Sequence, residues 1–195
     1  MQRLMPISAV PQQARGTAKI VNRFLTVSAY PQAMSRHRRI RPLGNSHFVT
    51  LRLAEGSNDL LVHEIERLRR TLRSVALARP FRIEAMVVLP DHLHAVWTLP
   101  DEAADATPQL TAIRDGFSRN LPSARLHLGG WSPTTAPGQD SGFWQRPLGN
   151  TREQAAAIRY CRENPVKHGL VNSPGDWPFL WENNEAEVSG RDRSA

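Results

Sequence analysis

The sequence predicts an α+β fold of the ferredoxin-like or RRM-like kind, one antiparallel sheet with helices packed on one face. Three observations carry this. Residues 47–53 and 81–89 alternate apolar and polar side chains, as half-buried strands do. Between them, from Asp59 to Ala78, apolar residues recur at steps of three and four, the period of an amphipathic helix. After them, two apolar runs meet at Pro90-Asp91 within VVLPDHLHAVWTL, a tight connection between two strands. Strand, helix, strand, strand is the order of half a ferredoxin-like domain.

Composition sets the outer limits. A chain of 195 residues suits one domain, and a hydrophobic content of 40% is enough for a core. No run approaches the ~20 apolar residues that span a membrane. Lys and Arg number 25 against 18 acidic residues, a net charge of +7. That balance favours a polyanionic partner, DNA or RNA, over a merely soluble basic protein. Cys161 is the single cysteine, which excludes an internal disulfide and a Cys-based zinc site and fits a reducing cytoplasm.

In chain order, residues 1–34 scatter Pro, Gln and Ala without a sustained period and lack the apolar core of a signal peptide. They read as a disordered or mis-assigned extension. Arg36, Arg38, Arg39 and Arg41 then form a basic arm suited to phosphate contact, with a solvated tail as the alternative. In the first strand, Phe48, Thr50 and Arg52 face one way and Val49, Leu51 and Leu53 the other. Ser57 or Asn58 caps the helix that follows. Its stripe is Leu61, Ile65, Leu68, Leu72 and Val75, while Arg67, Arg69, Arg70 and Arg73 make a solvated face. Pro80 stops it. The next strand puts Phe81, Ile83, Ala85 and Val87 on one face and Arg82, Glu84 and Met86 on the other.

In the strand after Asp91, His92 and His94 stand side by side, with Leu93, Ala95 and Trp97 behind them. Trp97 packs against the helix, which leaves the histidines on the open face. A second helix is expected over Gln109–Asn120, where Arg114 and Arg119 read as surface charge or DNA contacts. Residues 121–141, rich in Gly, Pro, Ser and Thr, are long for a structureless loop. A strand follows at Gly142–Arg146. Asn150 and Glu153 form a capping box for a helix that runs to Glu163 and ends at Pro165. Asp176–Phe179 reads as a segment docked on the core, and residues 182–195 as a polar, disordered tail.

Several residues carry chemistry. Two imidazoles on one strand face can hold a divalent metal, although such pairs are more often ordinary satisfied histidines. Tyr160 lies near the end of the last helix, where a tyrosine is usually core or rim. Asn164 follows one turn later on the same face. Arg152, Arg159, Arg162 and Lys167 surround the tyrosine and can hold phosphates, or serve as surface charge. His168 suits a helix C-terminus as a cation, and Cys161 reads as packing.

PDHLHAVWTLP, then RYCRENPVKHGLV, then DWPF together resemble the REP-associated tyrosine transposases, a group of the single-tyrosine, His-hydrophobic-His transposases. The resemblance runs from about Ser35 to Phe179, and Met34 resembles a usual start of the family. It implies one domain over 35–181, with the tyrosine helix near the histidine face. It implies that Tyr160 is a nucleophile and that His92, His94 and Asn164 bind Mg²⁺ or Mn²⁺. The implied reaction nicks and rejoins single-stranded, often hairpin-forming, DNA through a 5′-phosphotyrosine link, without ATP. Monomer and homodimer are both open. Two stretches depart from the family pattern: Pro147-Leu148-Gly149 is short and lacks an acidic-histidine pair, and Phe179-Leu180-Trp181 replaces a more polar continuation. Loss of a strand segment there would disturb the sheet edge and the DNA groove, and a decayed copy that only binds DNA is the alternative reading. A metal-dependent hydrolase with Tyr160 as bystander is a third reading.

Overall fold

The computed structural model describes residues 45–53, 59–100, 103, 105–122 and 142–183. The elements in chain order are β1 (Ser46–Arg52), α1 (Leu60–His63), α2 (Ile65–Ala78), β2 (Arg82–Val88), β3 (His92–Thr98), α3 (Thr107–Arg119), β4 (Phe143–Pro147), α4 (Thr151–Lys167) and β5 (Leu180–Glu182). The strands form one antiparallel sheet in the order β4-β1-β3-β2-β5. The α+β sheet expected from sequence is therefore present.

Register assigns the two faces. Met86 opposes Ala95 and Val88 opposes Leu93, so these share the apolar face. Ile65, Leu68 and Leu72 of α2 meet Met86, Val88 and Trp181 there. Trp97 is fully buried on this side, its ring 4.5 Å from that of Phe81. Antiparallel neighbours on the other face are Thr50 beside His94, Arg52 beside His92, and Trp144 beside Thr50. This face is not open: α4 packs across β2 and β3 and buries both histidines.

Three features depart most from the sequence reading. The first helix breaks at Glu64, where φ −101° and ψ 28° leave helical space. The Glu64 carbonyl still starts α2 by accepting from Arg67 and Leu68 at 2.9 and 3.0 Å. In β2, Ile83 opposes Trp97 and Ala85 opposes Val96, so Glu84 is an extra residue. That bulge splits the expected alternation and sends Ile83 to the face opposite Ala85 and Val87. Glu84 uses the irregularity to accept from Arg82 and Thr98 at 2.7 and 2.6 Å.

The third difference is α4, which passes through Pro165 and ends at Lys167. Proline costs the helix one N–H bond. Asn164 and Pro165 are both buried, and this packing outweighs the loss. Gly169, at φ 66°, closes the helix in the left-handed conformation that a C′ glycine supplies. At the other end Asn150 caps α4 by accepting from the Glu153 amide at 2.9 Å. Glu153 reaches back to the Gly149 amide at 3.2 Å, one residue earlier than a standard capping box.

The segment after α4 docks as expected. Trp177 and Phe179 are buried, and the Trp177 Nε1–H donates to the Val88 carbonyl at 2.9 Å. It continues into β5, which pairs with β2 through Leu180 and Trp181. The disturbed edges anticipated from the two departures are absent among the described residues. β4 pairs with β1 as far as Pro147, and the Leu148 amide donates to Ser46 at 2.8 Å. The expected caps Ser57 and Asn58, the 121–141 loop between residues 123 and 141, the 1–34 extension and the tail from residue 184 lie outside the described residues, whereas Glu182, expected to begin the disordered tail, is the last residue of β5 because it pairs with β2 and clasps Arg162.

Candidate active site

The site forms where α4 crosses the polar face of β3. Strand alternation puts His92 and His94 side by side, each 8% exposed, with ring centroids 4.9 Å apart. Neighbouring strands and the preceding turn fix both rings. His94 Nδ1 is 2.8 Å from Thr50 Oγ1 on β1, and His92 Nδ1 is 2.7 Å from the Asp91 carboxylate. Both rings are thus held through Nδ1, which leaves Nε2 as the nitrogen each can offer. A carboxylate on one ring nitrogen also raises the basicity of the other. Phe48 stacks on His94 at 5.5 Å and 18°.

From above, α4 contributes Tyr160, Asn164 and His168, spaced four apart on one face of the helix. The Tyr160 ring lies 5.2 Å from His94 and 5.6 Å from Phe48, and is 40% exposed. The His168 ring lies 5.1 Å from His92. Asn164, between them, is only 1% exposed, and its Oδ1 has no hydrogen-bond partner. Its Nδ2 donates weakly to the Tyr160 carbonyl at 3.4 Å. A buried acceptor without a donor is costly, and this oxygen, one turn beyond the tyrosine on the same helix, has no hydrogen-bond partner to compete with a bound cation.

Burial favours the neutral form of His94 and His168. Burial, with help from His92 and His168, pushes His94 down to about 3, against a small opposing effect of Asp91. Burial and then His92 also lower His168. For Asp91, burial acts upward, but the hydrogen bond and charge of His92, together with Arg52, hold it below the usual carboxylate range. Neutral imidazole is the form that binds metals. Among the described residues no three His, Cys, Asp or Glu side chains form a metal-binding group. The donors on offer here would be two imidazoles and the buried, unpartnered Oδ1 of Asn164, whose chemistry fits a divalent ion.

The other sequence candidates divide. Arg152 and Arg159 are exposed on α4. Arg162 is clasped by Glu182 of β5 through two contacts of 2.8 and 2.5 Å. Lys167 places Nζ 4.8 Å from the centre of the Tyr160 ring and 3.2 Å from the Glu163 carboxylate. Arg36, Arg38, Arg39 and Arg41 lie outside the described residues. Cys161 is buried and its thiol is pushed up to about 12, chiefly by burial, which suits packing. His168 does end the helix, as C-cap, but it also belongs to the site. Phe48 and Thr50 are legible in sequence as one strand face; their contacts with His94, a ring stack and a hydrogen bond, are not.

No family model matches the chain. It is similar to a REP-associated tyrosine transposase of Escherichia coli (strain K12), 34% identical over 146 residues, covering 75% of this chain and 81% of that protein. A Haemophilus influenzae relative bearing the same family name is 28% identical over 151 residues, covering 75% of this chain and 84% of its own. Among solved structures, a REP-associated tyrosine transposase bound to a REP hairpin superposes with a TM-score of 0.59 at 31% identity, covering 80% of this chain and 87% of that one.

Proposed function

The chain belongs to the REP-associated tyrosine transposases, and on that premise we propose that it nicks and rejoins single-stranded, hairpin-forming DNA with Tyr160 as nucleophile. The observation that supports this most directly is the juxtaposition on α4: an exposed tyrosine beside His94, with an orphaned buried amide oxygen one turn further on.

The Tyr160 oxygen attacks the scissile phosphorus in line. A tyrosyl–phosphate bond forms and the bond from phosphorus to the 3′-oxygen breaks. The phenol gives up its proton and the departing 3′-oxygen takes one, leaving a 5′-phosphotyrosine link and a 3′-OH. The link keeps the phosphodiester's energy, so another 3′-OH can reverse the step without ATP. His92, His94 and Asn164 would hold a divalent ion, Mg²⁺ or Mn²⁺, which when bound supplies charge to polarise the scissile phosphate. Asp91 and Thr50 orient the two imidazoles. Lys167 adds positive charge beside the tyrosine ring. Arg152 and Arg159 hold flanking phosphates, and the basic arm of Arg36, Arg38, Arg39 and Arg41 adds sequence-independent affinity. Phe48 and Trp144, whose rings are 6.0 Å apart, offer aromatic surface to unpaired bases.

The test is a denaturing gel of purified protein with hairpin-bearing single strands from the flanks of its own gene, in Mg²⁺ or Mn²⁺. A protein–DNA adduct that survives denaturant and is lost in Tyr160→Phe and His92→Ala is the expected result. Binding without an adduct would identify a DNA-binding protein that no longer cuts. Cleavage that persists in Tyr160→Phe would identify a hydrolase.

A further inference from the structure

The two ends of the histidine pair face different neighbours. Tyr160 stands at the His94 end, its ring 5.2 Å from that imidazole and 5.6 Å from Phe48. Lys167 covers the same end, with Nζ 4.8 Å from the centre of the tyrosine ring. At the His92 end stand His168, 5.1 Å away ring to ring, and Arg52, which the β1–β3 register places directly opposite His92. Cross-strand partners share a face, so the Arg52 side chain leaves the sheet on the same side as both imidazoles. Its backbone is fixed there by its amide, which donates to the Gly142 carbonyl at 3.0 Å.

The chemistry assigned to Tyr160 makes no use of Arg52. Its Nη2 lies 3.7 Å from Asp91 Oδ2, and its side chain is 56% exposed. So long and so exposed an ion pair stabilises little. A guanidinium carries five N–H donors in a planar fork, and a contact at that distance leaves the fork able to take a second anion. Asp91 for its part is engaged by His92 Nδ1 at 2.7 Å. The Arg52 charge also reaches His168: burial and then His92 lower that imidazole and, against Asp91, Arg52 lowers it further. A cation therefore stands beside His92, Asp91 and His168, at the end of the site away from the tyrosine.

In-line displacement decides what such a cation meets. The attacking and leaving oxygens stand on opposite sides of phosphorus. With Tyr160 attacking from the His94 end, the departing 3′-oxygen and the strand that carries it lie towards the His92 end. That strand brings the phosphate on the 5′ side of its last nucleotide, and a guanidinium fork suits phosphate oxygens. Resting on the tyrosine reading above, we infer that Arg52 holds the backbone of the strand that ends in the released 3′-OH and keeps it in place for rejoining. In that step the 3′-oxygen attacks the tyrosyl phosphate, a phosphodiester bond forms and the tyrosyl–phosphate bond breaks. The 3′-hydroxyl gives up one proton and the phenol takes one up. A strand that has drifted away cannot react, so Arg52 sets the balance between resealing and a lasting nick.

The experiment separates rejoining from nicking. The full chain forms its adduct on a hairpin-bearing single strand, the released strand is washed away, and a synthetic strand of the same sequence with a free 3′-OH is added back at increasing concentration. In Arg52→Gln the concentration that gives half-maximal rejoining should rise at least about tenfold, the scale of one charge-assisted hydrogen bond, and by a larger factor than the limiting rate falls. Arg52→Lys should recover part of the loss. The side chain is exposed, and an unchanged melting temperature verifies the fold. Mn²⁺ binding measured by calorimetry without DNA should be equal in Arg52→Gln and the unaltered protein, whereas Asp91→Ala should weaken it. An unchanged half-maximal concentration would overturn the inference. A parallel loss of Mn²⁺ affinity would overturn it too, and would make Arg52 a support for Asp91 and His92. If the unaltered protein forms no adduct, the tyrosine chemistry falls, and equilibrium binding of the intact strand decides on Arg52. Weaker binding by Arg52→Gln, with a slope of log affinity against log salt shallower by about 0.7, would keep the phosphate contact, and equal binding would remove it.

Discussion

At the residue scale, Asn164 concentrates what the site requires. Its Oδ1 is buried and unpartnered in a protein without metal, a condition worth about 1–3 kcal/mol against folding. Asn164→Leu fills a similar volume without the acceptor. It is expected to leave the metal-free protein as stable as before, or about 1 kcal/mol more so, while lowering Mn²⁺ affinity at least about tenfold by calorimetry. Equal Mn²⁺ affinity in the two proteins would remove Asn164 from the ligand set. His94 makes a pH prediction. Its unfolded value near 6.5 falls to about 3 on burial. Between those limits the unfolded chain binds a proton that the folded chain refuses, so stability is complete above about 6.5 and declines as pH drops towards 3. Urea unfolding in chelator at pH 7, 5.5 and 4.5 should show that decline, and His94→Gln should flatten it. The sequence displayed His92, His94, Tyr160 and Asn164 plainly, because strand and helix periods fix which side chains share a face. It hid His168 and Phe48 as partners, because those contacts join elements distant in the chain.

At the element scale, the strands and helices written with clear periods were legible, and the exceptions have local causes. Glu84 looks like one step of an alternation, and only pairing with β3 exposes it as a bulge. β5 is three residues long and too short to show a period. Pro165 reads as a stop until the packing that retains it is visible. Two predictions belong here. Gly116→Ala puts a Cβ 3.0 Å from the Thr71 methyl, and this overpacking should offset the helix gain of about 1 kcal/mol and leave a net cost of about 1 kcal/mol in urea unfolding. A cost near zero would mean that the helices part freely. Glu182→Ala releases Arg162 from β5. The clasp is partly exposed, so the global loss should stay below about 1 kcal/mol. Amide exchange in Leu180–Glu182 should quicken while β1 and β3 keep their protection.

At the whole-molecule scale, the sheet is a partition. Among the described residues, one face is covered by α2, with α3 packed beside it, and the other by α4. The sequence indicated a two-layer sheet and a tyrosine helix near the histidines; it did not indicate that this helix would roof them. Arg152→Gln with Arg159→Gln is expected to weaken binding of single-stranded hairpin DNA several-fold and to make its salt dependence shallower by about one to two, as a salt titration would show.

The roof has a thermodynamic consequence. The proposed nucleophile and amide ligand ride on α4, and the two imidazoles stand on β3. Any ligand that touches both is bound only while helix and sheet are in register, so its binding energy is also docking energy. Linkage makes the relation reciprocal. Whatever fastens α4 down would sharpen the affinity for such a ligand, and the ligand would in turn fasten the helix. The molecule assembles its chemistry and its architecture in one cooperative act.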